Sequence, residues 1–123
     1  MKKGHLTLIR GLPGSGKSTI AAALKGPDDC HFEADMFFII DKEYRFDHSR
    51  IKEAHERCQK QTKLALDEGK NVYVSNTFVK QWEMAAYHEM CPGLNIIVAT
   101  GNYANVHNVP EAVITRMKAT WEE

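Results

Sequence analysis

The segment Gly11-Leu12-Pro13-Gly14-Ser15-Gly16-Lys17-Ser18 fits the pattern GxxxxGK[ST], and it constrains the chain more than any other feature. Glycines at 11, 14 and 16 let the backbone wrap with its N–H groups turned inward. A helix starting at Lys17 directs its positive end at the same point. Such a loop requires a strand before it and a helix after it. His5 to Ile9 reads as a short buried strand, and Lys17 to Leu24 as a helix that stops near Gly26-Pro27. A triphosphate fits a loop of this kind. Gly11, Pro13, Gly14, Ser15, Gly16, Lys17, Ser18 and Thr19 are therefore the candidate nucleotide-binding residues, with ATP or another nucleoside triphosphate and Mg²⁺ as the expected cofactors. Lys17 bridges the β and γ phosphates in this reading, the Ser18 hydroxyl ligates Mg²⁺, and Thr19 adds hydrogen bonds to the phosphates.

The rest of the chain alternates in the same way. His31 to Glu33 reads as a second strand, followed by the aromatic run Met36 to Ile40. A long helix capped by Asp47 or Ser49 places Ile51, Ala54, His55, Cys58, Thr62 and Ala65 on one face, and Gly69 ends it. Val72 to Val74 is a third strand, Lys80 to Met90 a helix, and Asn95 to Val98 a fourth strand. After the polar loop Thr100 to Asn108, Pro110 opens a last helix expected to bury Val113, Ile114, Met117 and Trp121. Apolar strands separated by helices predict an α/β fold with a parallel sheet of about four strands and helices on both faces. Right-handed crossovers then bring all strand C-terminal ends, and any ligand, to one edge.

Composition narrows the class. With 123 residues, 43% apolar and 26% charged, and with no repeat or linker, the chain reads as one domain over 1–123. No apolar run is long enough for a membrane span, and no signal-peptide pattern follows Met1. Sixteen Lys and Arg balance sixteen Asp and Glu, so a nucleic-acid contact has to come from a local patch. Three cysteines, with no CxxC or Cys/His spacing, point to reduced thiols, no structural metal and a cytoplasmic location, a host's cytoplasm if the chain is phage-encoded.

A phosphate loop does not name a reaction, so the acceptor side has to be read from other residues. Asp35 follows the second strand and so stands at the ligand edge, where a carboxylate accepts a proton from an attacking hydroxyl, meets Mg²⁺ through water, or caps the following turn. The third strand leads into Ser75-Asn76-Thr77, where many P-loop proteins carry an acid for Mg²⁺. These three residues can orient water, metal or acceptor, or simply form a turn. Lys80 follows close behind as a cation near the site or a solvated lysine, and His107 lies in the loop after the fourth strand. His55 reads as a semi-buried member of its apolar stripe. Phe37, Phe38, Tyr44 and Phe46 crowd next to Asp35, some as core and others as a stacking face, with Arg45, Arg50, Lys52 and Arg57 available for phosphates. The excess of cations there is small, and an ordinary solvated helix face is the preferred account of it.

The residues Arg10 to Thr19, Asp35-Met36-Phe37-Phe38, Phe46-Asp47 with Ala54-His55, Ser75-Asn76-Thr77-Phe78 with Trp82-Glu83-Met84, and Asn105 to Pro110 occur in an order that resembles the small P-loop kinase and ATPase family of the phage polynucleotide kinase 5′-kinase domain. The resemblance implies phosphoryl transfer from ATP to a hydroxyl of a nucleic acid or nucleotide, with Asp35 as the catalytic general base beside the catalytic Lys17 of the loop motif and with Asn105 in the lid, while His107, by its place in the same polar loop, contacts nucleotide or acceptor or equally organises the turn from Asn105 to Asn108. Related phage enzymes phosphorylate a hydroxymethyl group on a modified pyrimidine in DNA, so that acceptor is carried too. Two arginines of the family pattern are replaced by Phe38 and Ala104. Those replacements suit a nucleotide-binding regulatory module or slow ATPase, and the neutral charge suits a small-metabolite kinase. Both alternatives stand beside the polynucleotide-kinase-like reading.

Overall fold

Leu6–Arg10 forms strand β1, and all five residues are buried. A strand buried on both faces has to lie inside a sheet covered on both sides. The computed structural model describes residues 3–101 and 109–123. After β1 come α1 (Lys17–Leu24), β2 (Cys30–Phe32), a 3₁₀ turn (Ala34–Phe38), and the short strands β3 (Ile39–Ile40) and β4 (Glu43–Tyr44). A 3₁₀ turn (His48–Arg50), capped by Asp47 in place of the long helix expected to start there, leads into helix α2 (Ile51–Asp67), and β5 (Val72–Asn76), a 3₁₀ turn (Gln81–Met84), α3 (Ala85–Met90), β6 (Asn95–Val98) and α4 (Glu111–Thr120) complete the order.

The main sheet runs β2-β5-β1-β6, with every pairing parallel, as the alternation predicts. Side chains of a strand alternate between faces, and the core divides accordingly. Leu6, Leu8, Val72 and Val74 pack with Ala54, Cys58, Ala65 and Leu66 of α2 on one face. Ile9 packs with Ala21 of α1 and Ala99 on the other. Each fully buried Leu or Val contributes about 1.5–3 kcal/mol, so β1 and β5 anchor the domain. In α2 the buried residues Ala54, Cys58, Thr62 and Ala65 recur at three and four, and Gly69 at φ 86° ends the helix in the left-handed region.

Three further expectations change. The run after Asp35 is not loop alone: Ile39 pairs with Tyr44 and Ile40 with Glu43 in an antiparallel hairpin whose turn residues Asp41 and Lys42 have φ of 50° and 68°. The segment from Lys80 to Met90 starts as a 3₁₀ turn before α3. Helix α4 buries none of its residues fully: Val113, Ile114 and Met117, and Trp121 just after it, are half-buried. Among the described residues no helix is long and apolar enough to cross a membrane.

Candidate active site

The phosphate loop leaves the C-terminal end of β1 between β5 and β6. Its root is braced on both sides: Gly11 N–H donates to Thr77 O at 3.3 Å, and Ala99 N–H donates to Arg10 O at 2.8 Å. A Cβ on Gly11 would lie 2.3 Å from Ser15 Oγ and 2.9 Å from Ala99 O, so only glycine lets the strands approach this closely. Gly16 sits at the start of α1 with φ 91°, which turns the chain from loop to helix. Gly101 N–H donates to Ser15 O at 2.9 Å, while Ser15 Oγ is buried with no partner among the described residues. A buried hydroxyl without a partner costs free energy until something bonds it, and a phosphate oxygen in the cradle is suited to that. Lys17 Nζ folds back onto Leu12 O at 3.1 Å. Burial lowers the pKa of this ammonium, and the charges of Glu33 and Asp35 oppose that shift. Beside the loop, Ser15, Gly16, Thr19, Val98, Thr100 and Gly101 line a hollow of about 190 Å³.

Glu33 and Asp35 both bear electrostatically on Lys17 from the end of β2. Ser18 Oγ donates to Glu33 Oε1, and Ser75 Oγ donates to the same oxygen at 2.8 Å. His31 Nε2 lies 2.6 Å from Ser75 Oγ and 3.3 Å from Glu33 Oε1. Burial alone would raise the pKa of the Glu33 carboxyl. Hydrogen bonds from His31, Ser18 and Ser75 outweigh it and hold the carboxyl down at about 2. The Tyr44 hydroxyl donates to Asp35 Oδ1 at 3.2 Å, and burial together with the Asp35 charge pushes that phenol up to about 12.

The other candidates fall into separate places. Asn76 belongs to β5 itself, and its Oδ1 accepts from Ala34 N–H at 2.8 Å. It thus fixes the turn that carries Asp35 and does not face the cradle. Thr77 contributes its carbonyl to the loop root. Lys80 Nζ pairs with Glu122 at 3.8 Å, within the C-terminal tail. Asn105 and His107 lie outside the described residues. A cleft of about 470 Å³ opens beside the hairpin, lined by Phe37, Phe38, Ile40, Arg45, Phe46 and Arg50 among others. Phe38 is 4% exposed and so forms the cleft's floor, whereas Phe46 is 53% exposed and offers the open ring. The ring centroids of Phe38 and Phe46 are 5.1 Å apart, and the Arg50 guanidinium lies 4.6 Å over the Phe37 ring. Arg45 pairs with Glu43 and Arg50 with Glu53, both pairs exposed.

Sequence reasoning passed over His31, Glu33 and Arg10 as site residues, and it placed Tyr44 among the stacking candidates without its bond to Asp35. Glu33 had a signal, since it stands two residues before Asp35 at a strand end. Arg10 had one as well, as a cation inside an apolar strand. Arg10 is 3% exposed, and its guanidinium donates to Phe78 O at 2.7 and 3.0 Å, to Val79 O at 3.3 Å and to Glu122 O at 2.5 Å.

A parallel sheet with the loop after an inner strand, and carboxylates after the strand two places along the sheet, defines a P-loop kinase-like fold. The sequence model of the AAA domain family matches residues 6–100, and the chain belongs to that family. It is 39% identical over 85 residues to the human NEDD4-binding protein 2, a stretch that makes up 67% of this chain and 5% of that protein. In fold it is similar to a chain of the Pnkp1/Rnl/Hen1 RNA repair complex, with a TM-score of 0.72 and 16% identity, over 98% of this chain and 44% of that one. It is also similar to the Mycobacterium tuberculosis APS kinase CysC in its complex with AMPPNP and APS, with a TM-score of 0.57 and 20% identity, over 80% of this chain and 62% of that one.

Proposed function

We propose that the chain transfers the γ-phosphoryl group of ATP to a hydroxyl of a nucleic acid or nucleotide, either a 5′-hydroxyl or the hydroxymethyl group of a modified pyrimidine in DNA. The observation that carries this reading is the position of Asp35. Its charge acts on Lys17, and its carboxylate is tied through Tyr44 to the aromatic cluster of the cleft.

The cradle suits a nucleotide, because the Ser15 hydroxyl, buried without a partner among the described residues, Lys17 and the start of α1 all present positive charge or donors. The hollow beside Thr19 and Gly101 takes the nucleoside part. Ser18 and Glu33 are the oxygen donors present for Mg²⁺, and a bound Mg²⁺ supplies charge neutralisation on the β and γ phosphates. Asp35 takes the proton of the acceptor hydroxyl, and Tyr44 holds the carboxylate in one orientation. The acceptor oxygen forms its bond to the γ-phosphorus as the bond to the β–γ bridging oxygen breaks, and ADP leaves with that electron pair. Lys17 stabilises the charge that develops. Phe46 stacks an acceptor base, and Arg45 and Arg50 meet its phosphates once released from exposed pairs worth only about 0–1 kcal/mol each.

A small-metabolite kinase is the second reading, supported by the fold likeness to APS kinase. The two readings separate on γ-labelled ATP offered with 5′-hydroxyl oligonucleotide, hydroxymethyl-pyrimidine DNA, free nucleosides and water. Label on either DNA acceptor supports the proposal. Label on nucleosides alone supports a metabolite kinase, and label released only as phosphate supports a slow ATPase.

A further inference from the structure

Strand β5 ends without an acid: Ser75, Asn76 and Thr77 occupy the place where a P-loop protein commonly holds the carboxylate for its cation. In this chain the Ser75 hydroxyl points at a carboxylate from another strand. Its Oγ donates to Glu33 Oε1 at 2.8 Å, and that same oxygen accepts from Ser18, the hydroxyl the loop motif assigns to the metal. The two positions that flank a nucleotide's cation thus converge on one oxygen of Glu33.

The sheet order explains how this arises. β2 is the direct neighbour of β5, with Phe32 in register with Val74, so residue 33 arrives level with residue 75. A long glutamate from β2 and a short serine on β5 fill the space that a short residue and a carboxylate would fill the other way round. A second carboxylate at 75 would set two like charges within hydrogen-bond distance, which is unfavourable. Lys17 does not bond Glu33, because its ammonium is turned onto Leu12 O. The Glu33 side chain keeps 16% of its surface exposed.

We infer that Glu33 is the carboxylate that meets a nucleotide-bound divalent cation together with Ser18, replacing from the end of β2 the acid that β5 lacks. This rests on the nucleotide-binding part of the proposed function and is independent of the acceptor.

The test measures binding of AMPPNP to the full chain in EDTA and in Mn²⁺, with free Mn²⁺ followed by electron paramagnetic resonance. In the wild type Mn²⁺ tightens AMPPNP binding. Glu33→Gln loses about tenfold or more of that gain, while its affinity in EDTA is unchanged or higher because a negative charge facing the phosphates is gone. The opposite signs separate a cation site from a brace that only shapes the loop, for which both affinities fall together. Equal Mn²⁺ gains in wild type and Glu33→Gln overturn the inference, and so does a joint fall. A second measurement needs no substitution: in the wild-type Mn²⁺·AMPPNP complex the Glu33 side-chain carboxyl ¹³C resonance broadens away, and its survival overturns the inference. A wild type that binds no AMPPNP in either condition overturns the nucleotide reading and this inference with it.

Discussion

Acid stability offers a direct measure of the Glu33 network. The carboxyl moves from its usual 4.5 to about 2 in the folded protein. Above pH 4.5 it is ionised in both states, and the hydrogen bonds from His31, Ser18 and Ser75 favour the native one. As pH falls through 4.5 the unfolded chain takes up a proton that native Glu33 refuses until about pH 2, so stability drops across that window. At about 1.4 kcal/mol per pH unit the whole effect is about 3 kcal/mol, and about 1.4 kcal/mol of it is gone by about pH 3.5. Urea unfolding at about pH 6 and about pH 3.5, on wild type and Glu33→Gln, isolates it. Other carboxyls lowered by their partners, such as Asp47 and Asp67, cancel in the comparison. The wild type should lose about 1.4 kcal/mol more than the variant, a midpoint difference of roughly 0.5–1.4 M for a slope of about 1–3 kcal/mol/M. Equal losses in the two proteins would show that the bonds to Glu33 Oε1 contribute nothing to its ionisation.

Lys17→Ala should abolish transfer, and Ser18→Ala should weaken metal-dependent activity more than metal-free nucleotide binding; undiminished turnover in the Lys17 variant would refute the cradle. Asp35→Asn should leave ATP affinity within a few-fold while single-turnover transfer falls by roughly 10² to 10⁴, the contribution of a positioned base. Near-native rates in that variant would reduce Asp35 to a turn residue. Affinity for single-stranded DNA should fall against salt on a log–log plot with a slope of about −1.4 to −2.1, the value for two or three phosphate contacts from among Arg45, Arg50, Lys52 and Arg57. Phe46→Ala should weaken that binding by about 1–3 kcal/mol equally at low and high salt, since stacking is insensitive to ions; a loss confined to low salt would contradict a stacking role.

The features that the sequence displayed openly are those with local causes. Glycines at fixed spacing between an apolar strand and a helix make the phosphate loop, and period-2 and period-3.6 patterns give the four-stranded sheet and α2. The β3–β4 hairpin was hidden because two-residue strands carry no period, and because Asp41 and Lys42 adopt the positive φ that usually announces itself as Asn-Gly. A run of aromatic residues likewise does not say which ring is buried. Phe38 is buried because the turn that carries it packs under α2, which leaves Phe46 as the open face. The convergence on Glu33 depends on β2 lying beside β5, a pairing of residues 42 apart that no local window contains.

Arg10 joins the two kinds of information. Phe78 follows β5 at φ 46°, a conformation that costs a bulky residue about 1–3 kcal/mol unless its surroundings enforce it. The Arg10 fork holds the Phe78 carbonyl with two donors, and the Phe78 ring packs edge-on against Tyr87 at 5.6 Å. The guanidinium also lies 4.1 Å over the Trp121 ring and bonds Glu122 O. Burial lowers its pKa, and the charges of Glu123, Glu83 and Glu122 act against that shift. The residue immediately before Gly11 thereby ties the root of the phosphate loop to the β5–α3 connection and to the tail after α4. Glu122 also bonds that connection directly, its N–H donating to Val79 O at 2.8 Å and its Oε1 accepting from Gln81 N–H at 2.7 Å, so Arg10 is one of several ties that hold the Phe78 turn in place.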